Sequence, residues 1–148
     1  MLSNILKKEY IKLDVECENW EEAIRMAGDV LVKNKVVTNE YVEEAVRGVR
    51  DLGPYIVIAK GIAMPHTTSH IGVNKNGIAL VRLKNPVKFG SKINDPVYYV
   101  IMLATMDIES HIEIISQISD LLDKKEFLDI MEKSKDSDAI IEYIKANE

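Results

Sequence analysis

Val97-Tyr98-Tyr99-Val100-Ile101-Met102-Leu103-Ala104 is an uncharged apolar run that is rich in β-branched and aromatic side chains. Tyr55–Ala59 and Ile78–Leu83 are shorter runs of nearly the same character. A strand with one face in water alternates apolar and polar residues, whereas a run of this kind is typical of a strand covered on both faces. The sequence therefore predicts buried strands that need helices on each side.

Helical periodicity flanks these runs on both sides. Asn19 and Glu22 have the spacing of a capping box, and Thr38 is positioned to cap a second helix whose buried stripe extends to Leu52. The predicted helices are Trp20–Lys33, a second that Gly53-Pro54 ends, a third that opens at Asp107, Lys125–Lys133 and Ser137–Ala146. Helices before and after an apolar sheet predict an α/β fold with three layers, helix on sheet on helix.

Two further segments complete the predicted architecture. Ile11, Leu13 and Val15 alternate with charged residues, which predicts a strand at or near an edge of the sheet. The stretch Asn85–Pro96 contains several turn-forming residues and is interpreted as a surface loop. We expect a single domain over residues 1–148.

Composition excludes several functional classes. The net charge of −5 argues against binding to nucleic-acid phosphates. No segment has the pattern of a signal peptide or the length of a membrane span, so we expect a soluble cytoplasmic protein without direct membrane insertion. The single cysteine, Cys17, excludes an internal disulfide and is interpreted as a small core or interface residue.

The most informative chemistry lies in Gly61-Ile62-Ala63-Met64-Pro65-His66, which Thr67-Thr68 follow. Pro65 fixes its own backbone angle and restricts Met64, so the direction of His66 is restricted too. Gly61 permits close backbone approach, and amide groups with the Thr67 and Thr68 hydroxyls are suited to an anion. Without further context, His66 is either a turn residue or a nucleophile.

A second histidine, His111, falls in the first turns of the predicted third helix, on its inward face. The start of a helix favours a nearby anion, so a phosphate is a candidate ligand between His111 and His66. On an apolar stripe, however, such a histidine is ordinarily a core residue. Phosphoryl transfer to an imidazole requires positioning and charge stabilisation but no metal or cofactor.

These segments, together with Pro86-Val87-Lys88-Phe89-Gly90 and the run from Val97 into His111-Ile112, resemble a known family. It is the mannitol–fructose class of enzyme IIA in the bacterial phosphoenolpyruvate-dependent sugar phosphotransferase system. The resemblance spans almost the whole chain. It implies the phosphotransferase/anion transport protein-like fold, a three-layer α/β/α arrangement with a small mixed β-sheet.

The resemblance also implies a function. His66 would accept a phosphoryl group from the phosphohistidine of HPr, as tele-phosphohistidine, and pass it to a cysteine of enzyme IIB. That transfer would energise carbohydrate uptake through the membrane enzyme IIC, an indirect partner. His111 would stabilise the phosphoryl group, while His70 has no matching role. Thr67 and Thr68 are predicted phosphate-binding residues because of their own hydroxyl and amide groups.

Within the class, Gly53-Pro54-Tyr55-Ile56-Val57-Ile58 and Asn94-Asp95-Pro96-Val97 look most like the ascorbate-type branch. Thr67-Thr68 depart from that branch, which often has Ala-Arg there. Gly48 aligns with an arginine of the mannitol and nitrogen-regulatory branches. The transported compound thus stays open among ascorbate-, mannitol- and fructose-like carbohydrates.

Alternative functions follow from the same residues. A nitrogen-type regulatory phosphocarrier would share the chemistry but control a target protein. A zinc site of His66, His70 and His111 lacks supporting ligand spacing, and Ser69 lacks the turn of a hydrolase nucleophile. We also expect exposed apolar residues around Ile62, Met64 and Ile71 to form a transient docking surface.

Overall fold

The computed structural model describes every residue from Met1 to Glu148. Five α-helices and five strands follow short 3₁₀ turns at the start of the chain. The strands are β1 (Ile11–Val15), β2 (Val57–Ala59), β3 (Ile62–Ala63), β4 (Gly77–Val87) and β5 (Val97–Ala104). The helices are α1 (Trp20–Lys33), α2 (Asn39–Leu52), α3 (Ile108–Leu122), α4 (Lys125–Lys133) and α5 (Ser137–Ala146).

The strands form one mixed sheet in the order β1-β4-β5-β3-β2. β4 pairs with β5 in antiparallel register, with Leu80 opposite Ile101, and β1 runs parallel to β4, with Ile11 opposite Leu80. β3 runs parallel to β5, and β2 closes the other edge by pairing antiparallel to β3. The prediction that the first strand lies at an edge is confirmed.

Both faces of the central strands are covered. Every residue of β5 from Val100 to Ala104 is buried, as the uninterrupted apolar run predicts. α1 packs on β4 and β5, α2 packs on α1, and α5 contacts β1. The three-layer α/β architecture predicted from the sequence is therefore confirmed.

Several predicted bounds were wrong, each for a local reason. Tyr55 and Ile56 lie outside β2 because the Val57 N–H donates to the Pro54 carbonyl at 3.1 Å and closes a turn. β4 continues to Val87, so the predicted loop begins three residues later than Asn85, at position 88. Exposed residues near the end of this strand interrupt its apolar pattern, so the pattern does not predict where β4 ends.

Two details of α2 also differ from the sequence prediction. Thr38 is at the N-cap position, but its side chain makes no capping bond. Its hydroxyl would lie 2.5 Å from a Cβ placed on Gly72. Leu52 is 76% exposed at the last residue of the helix, because Gly53, with φ at 88°, ends the helix there. The bounds of α1, α4 and α5 agree with the predicted ranges.

The topology determines where chemistry can occur. β3 and β5 are neighbouring parallel strands, so their carboxyl ends lie at the same edge of the sheet. The segment that follows β3 carries His66, and Thr105 follows β5 directly and leads into α3. Groups at the carboxyl ends of parallel strands are well placed to form a site. None of the helices is both long and apolar enough to cross a bilayer.

Candidate functional site

Two backbone hydrogen bonds, one on each side, hold the turn that presents His66. The Leu103 N–H of β5 donates to the Pro65 carbonyl at 3.0 Å, and the Met64 N–H donates to the Ile56 carbonyl at 2.8 Å. Pro65 and Met64 are themselves buried, whereas His66 is half-buried. The imidazole therefore projects from a firmly held backbone towards the surface.

The protonation of the His66 ring follows from a single contact. Its Nδ1 lies 2.8 Å from the Met64 carbonyl oxygen, which can only accept a hydrogen bond. Nδ1 must therefore carry the hydrogen. In the neutral ring this leaves the lone pair on Nε2, the nitrogen able to act as a nucleophile.

His111 lies beside His66, with the two ring centroids 5.1 Å apart and the ring planes inclined by 50°. This half-buried histidine faces inward from the start of α3, as predicted. Burial first, and then the neighbouring His66 and His70, hold the pKa of His111 below its ordinary value. We expect His111 to be neutral at neutral pH.

The N-terminus of α3 is already capped by an acidic residue. The Asp107 carboxylate accepts a hydrogen bond from the Ser110 N–H at 2.8 Å, and this bond lowers the pKa of the carboxyl group. Part of the positive end of the helix is thus neutralised within the chain. His111 is consequently a better candidate than the helix terminus itself for contacting a phosphate.

The structure adds His70 and Thr105 to the same cluster. The Nδ1–H of His70 donates to the Thr105 carbonyl at 2.8 Å. The Thr105 hydroxyl lies 3.4 Å from Nδ1 of His111. Thr105 thus connects two histidines through different atoms, and His70, which had no role in the sequence analysis, belongs to the site's surroundings.

Tyr41 of α2 supports the residue that follows His66. Its buried hydroxyl donates to the Leu103 carbonyl at 2.5 Å and accepts a longer hydrogen bond, 3.4 Å, from the Thr67 N–H. Burial raises the pKa of Tyr41 to about 12, so the hydroxyl keeps its hydrogen. Tyr41 therefore links α2, the end of β5 and the His66 turn.

Thr67 and Thr68 differ in their availability to an anion. The Thr67 hydroxyl donates to the Ser69 carbonyl at 2.5 Å, and its N–H faces Tyr41. Thr68 is exposed and its hydroxyl makes no hydrogen bond within the chain. Thr68 is the freer of the two, whereas Thr67 would have to exchange partners to contact a phosphate.

Tyr55 occupies the space between Gly48 and His66. Its ring lies edge-on to His66, with centroids 6.3 Å apart and an interplanar angle of 84°. Its hydroxyl is 3.1 Å from the place where a Cβ on Gly48 would lie. An arginine at position 48 would therefore begin in space that Tyr55 fills.

An apolar groove of about 260 Å³ runs beside His66, between β2 and α3. Its apolar lining includes Ile58, Met64 and Ile115. Ile108 and Ile112 continue the apolar surface along α3, with 67% and 64% of their surface exposed. We use the name α3 apolar face for Ile108, Ile112 and Ile115 of α3 together with the neighbouring Ile58 of β2.

The sequence prediction of the docking residues was wrong in part. Ile62 and Met64 are buried, with 4% and 2% exposure, because β3 lies between β2 and β5 and its continuation enters the core. Ile71 is 68% exposed, as expected. Apolar side chains beside the histidine come instead from β2 and α3.

The zinc alternative has no geometric support. The structure contains no group of three or more His, Cys, Asp or Glu side chains placed to hold a metal ion.

Burial raises the pKa of the Cys17 thiol to about 11, so this thiol stays protonated at neutral pH.

The sequence pointed to His66 and His111, which the structure places side by side, but not to Tyr41 or Thr105. Tyr41 shares a helical face with Ala45 and Val49, so its burial was predictable, and a buried tyrosine hydroxyl normally requires a partner. No sequence signal identifies that partner, since Leu103 belongs to a distant strand. Thr105 is a buried polar residue at the end of an apolar run, a position that could have drawn attention.

An α/β fold with paired imidazoles at one edge of its mixed sheet is consistent with a phosphotransferase. Residues 4–147 match the family model described as "Phosphoenolpyruvate-dependent sugar phosphotransferase system, EIIA 2", and the chain belongs to this family. The resemblance inferred from the sequence is confirmed, and with it the role of a phosphocarrier in that system.

Individual relatives agree with this assignment. The chain is 37% identical over 142 residues to the ascorbate-specific PTS system EIIA component of Escherichia coli K12, covering 95% of this chain and 92% of that protein. It is similar to the mannitol-specific cryptic phosphotransferase enzyme IIA of Escherichia coli, with 27% identity, a TM-score of 0.87 and 99% coverage of each chain.

A third relative was solved with a partner. The structure is the complex of enzyme IIAMTL and phosphorylated enzyme IIBMTL from Escherichia coli. It has 28% identity and a TM-score of 0.83, and covers 97% of this chain and all of that one.

Proposed function

We propose that this chain is a cytoplasmic enzyme IIA that accepts a phosphoryl group from phospho-HPr on Nε2 of His66 and passes it to enzyme IIB. The contact between His66 Nδ1 and the Met64 carbonyl is the observation that carries the proposal. It holds one ring nitrogen as a donor and leaves the other free.

The accepting step is a displacement at phosphorus. The Nε2 lone pair forms a new N–P bond while the N–P bond of the donor phosphohistidine breaks, and the donor nitrogen keeps the electron pair. The His66 ring gains positive charge in this step. Its Nδ1–H remains bonded to the Met64 carbonyl, which stabilises that charge through a charge-assisted hydrogen bond.

The donating step reverses the roles. A cysteine thiolate of enzyme IIB attacks phosphorus, an S–P bond forms, and the electron pair of the breaking N–P bond returns to Nε2 of His66. His66 is then neutral again, with its hydrogen still on Nδ1. Neither step requires a metal or a cofactor, because the charge is handled by the two rings and the surrounding donors.

His111 is the proposed donor to the phosphoryl oxygens. Its ring lies within reach of a group attached to His66, given the 5.1 Å centroid separation. Thr68 can add a hydroxyl, and Thr67 can add its own after leaving the Ser69 carbonyl. A neutral His111 holds the phosphoryl group less strongly than a cation would, which suits a carrier that must release its cargo.

HPr and enzyme IIB would dock in turn on the α3 apolar face next to His66. A complex with phosphorylated enzyme IIB is recorded for a relative of this chain. Small apolar interfaces with a polar rim suit transient partners. Through enzyme IIB the phosphoryl group would serve a membrane enzyme IIC that transports a carbohydrate.

An ascorbate system is the proposed context, supported by the 37% identity to an ascorbate-specific component. The nitrogen-type regulatory role stays an alternative without a specific observation in its favour. Transfer to a purified enzyme IIB of the ascorbate system would support the transport role. Phosphorylation by phospho-HPr without discharge to any enzyme IIB would favour regulation.

The proposal is tested by incubating the chain with phosphoenolpyruvate, enzyme I and HPr, followed by intact-mass analysis at alkaline pH. We expect one added phosphoryl group that is lost in acid. His66→Ala should stay unmodified. His70→Ala is the matched control, since it removes an imidazole from the same cluster, and it should be labelled like the wild type.

Two results would overturn the proposal. One is a wild-type chain that stays unmodified with active enzyme I and HPr. The other is equal labelling of His66→Ala.

A further inference from the structure

Thr105 is a buried polar side chain that lies behind the site and has not been given a task. It directly follows β5 and is only 4% exposed. Its hydroxyl lies 3.4 Å from Nδ1 of His111 and makes no other hydrogen bond in the structure. Its carbonyl is taken by the Nδ1–H of His70.

The direction of the hydrogen bond between Thr105 and His111 follows from counting donors. If His111 donated from Nδ1, the hydroxyl hydrogen of Thr105 would be buried without an acceptor. A buried donor without a partner costs about 1–3 kcal/mol. If Thr105 donates instead, its hydrogen is satisfied and only spare acceptor capacity is left unused. The second arrangement is therefore favoured.

The tautomer of His111 follows from this direction. A neutral imidazole carries one hydrogen, so a ring that accepts at Nδ1 must carry its hydrogen on Nε2. Nε2 is the nitrogen that Thr105 does not contact. A phosphoryl group on His66 presents only acceptor oxygens, so His111 is useful to it only as a donor.

We propose that Thr105 is a positioning residue that holds His111 as its Nε2–H tautomer, ready to donate to a phosphoryl group on His66. The use of this donor rests on the proposed function, whereas the tautomer itself does not. Thr105 acts through His111 and does not contact the phosphoryl group. Its hydroxyl orients the ring, and its carbonyl keeps His70 in a defined position.

The three histidines then have a distinctive pattern. His66 and His70 carry their hydrogens on Nδ1, because each donates to a backbone carbonyl at 2.8 Å. His111 carries its hydrogen on Nε2, because it accepts from a hydroxyl. The position of the ring hydrogen thus distinguishes His111 from the other two histidines, and nitrogen chemical shifts report that position directly.

The test is a long-range proton–nitrogen correlation spectrum of the unphosphorylated protein with ¹⁵N-labelled histidine, at a pH well above the histidine titration range. We expect the wild type to show Nδ1–H for His66 and His70 and Nε2–H for His111. In Thr105→Val, the two nitrogen resonances of His111 should move towards each other, because both tautomers become populated. Thr105→Ser should keep the wild-type pattern.

His66 and His70 provide the internal control for folding. Their partners are backbone carbonyls, so their patterns should be unchanged in Thr105→Val. The proposal is overturned if wild-type His111 shows Nδ1–H or a mixture. It is also overturned if the His111 resonances stay in place in Thr105→Val. If Thr105→Val does not fold, the wild-type spectrum alone tests the proposal.

A second readout connects the tautomer to transfer. Thr105→Val should slow transfer to enzyme IIB about two- to tenfold, the equivalent of one neutral hydrogen bond, and Thr105→Ser should restore the rate. Equal rates for wild type and Thr105→Val would reject the functional part. Failure of all variants and of the wild type to be phosphorylated would instead reject the proposed function and leave the tautomer result intact.

Discussion

The main chain around His66 determines which of its two ring nitrogens is free to react. Pro65 is held by β5, and the Met64 carbonyl lies 2.8 Å from Nδ1. A sequence shows that proline precedes histidine, and from this the restricted direction could be predicted. The identity of the free nitrogen depends on a carbonyl orientation that no residue type encodes, so it required the structure.

Tyr41→Phe tests the support behind His66. The change removes the hydroxyl that bonds the Leu103 carbonyl and faces the Thr67 N–H. We expect a loss of about 1 kcal/mol in the free energy of unfolding, together with slower phosphoryl transfer. Denaturant unfolding and transfer kinetics measure the two effects.

Tyr143→Phe is the matched control for this variant. The Tyr143 hydroxyl makes no hydrogen bond within the chain, and its ring packs against Phe127. The stability and the transfer rate of Tyr143→Phe should stay near those of the wild type. If Tyr41→Phe transfers at the wild-type rate, Tyr41 supports the fold but not the site.

The lowered pKa of His111 predicts a pH dependence of stability. The unfolded chain, with the ordinary pKa of 6.5, binds a proton at His111 more readily than the folded chain does. Stability from this residue is thus complete above that pKa and is lost as the pH falls through 6.5 towards the lower folded value. His111→Gln should lose less stability than the wild type over this range.

Denaturant unfolding of both proteins on either side of the range measures this difference. His66 and His70 are present in both proteins, so comparison largely isolates His111. An equal loss in both would show that His111 titrates alike in the folded and unfolded states.

At the scale of elements, α-helices were easier to predict than strands. The bounds of α1, α4 and α5 agree with their predicted ranges because caps and apolar periodicity are local signals. The bonded cap of Asn19 to the Glu22 N–H, at 2.8 Å, is an example. β4 and β2 were harder, since pairing with a distant strand, and not local composition, determines where a strand ends.

Gly28 sets how closely α1 and α2 can approach. A Cβ at Gly28 would lie 2.5 Å from Cγ1 of Val42, closer than atoms can pack. Gly28→Ala gains about 1 kcal/mol from helix propensity, but overpacking costs about 1–3 kcal/mol. We expect a net loss of stability in denaturant unfolding.

Val42→Ala supplies the control background for this prediction. Val42→Ala removes the two Cγ atoms that the new Cβ would meet at 2.5 and 2.6 Å and keeps only the Val42 Cβ, at 3.1 Å. Gly28→Ala should therefore be clearly less destabilising in the Val42→Ala background than in the wild type. A destabilising effect of similar size in both backgrounds would show that the contact with Val42 does not limit the helix packing.

At the scale of the whole molecule, the site depends on segments far apart in the sequence. The carboxyl ends of β3 and β5, the start of α3 and a residue of α2 meet around His66. The family resemblance predicted that His66 and His111 act together. Burial of Ile62 and Met64 was not predicted, because a two-residue strand between two neighbours has no periodicity to recognise.

The α3 apolar face should be needed for docking but not for chemistry. Ile112→Asp places a charge in this face and should lower the rate of phosphorylation by phospho-HPr about tenfold or more at low HPr concentration. Saturating HPr should restore much of the rate. Enzyme kinetics over a range of HPr concentrations measure this effect.

Ile93→Asp is the matched control, since Ile93 is 80% exposed in the segment between β4 and β5 and is not part of the α3 apolar face. It should behave like the wild type. Equal kinetics for Ile112→Asp and the wild type would place the docking surface elsewhere.

The most direct test of the central claim is to identify the nitrogen of His66 that carries the phosphoryl group. Histidine labelled with ¹⁵N, in protein phosphorylated through HPr, reports this through its nitrogen chemical shifts and coupling to phosphorus. We predict phosphorus on Nε2, with the hydrogen still on Nδ1 beside the Met64 carbonyl. Phosphorus on Nδ1 of His66, or on a different histidine, would contradict the mechanism.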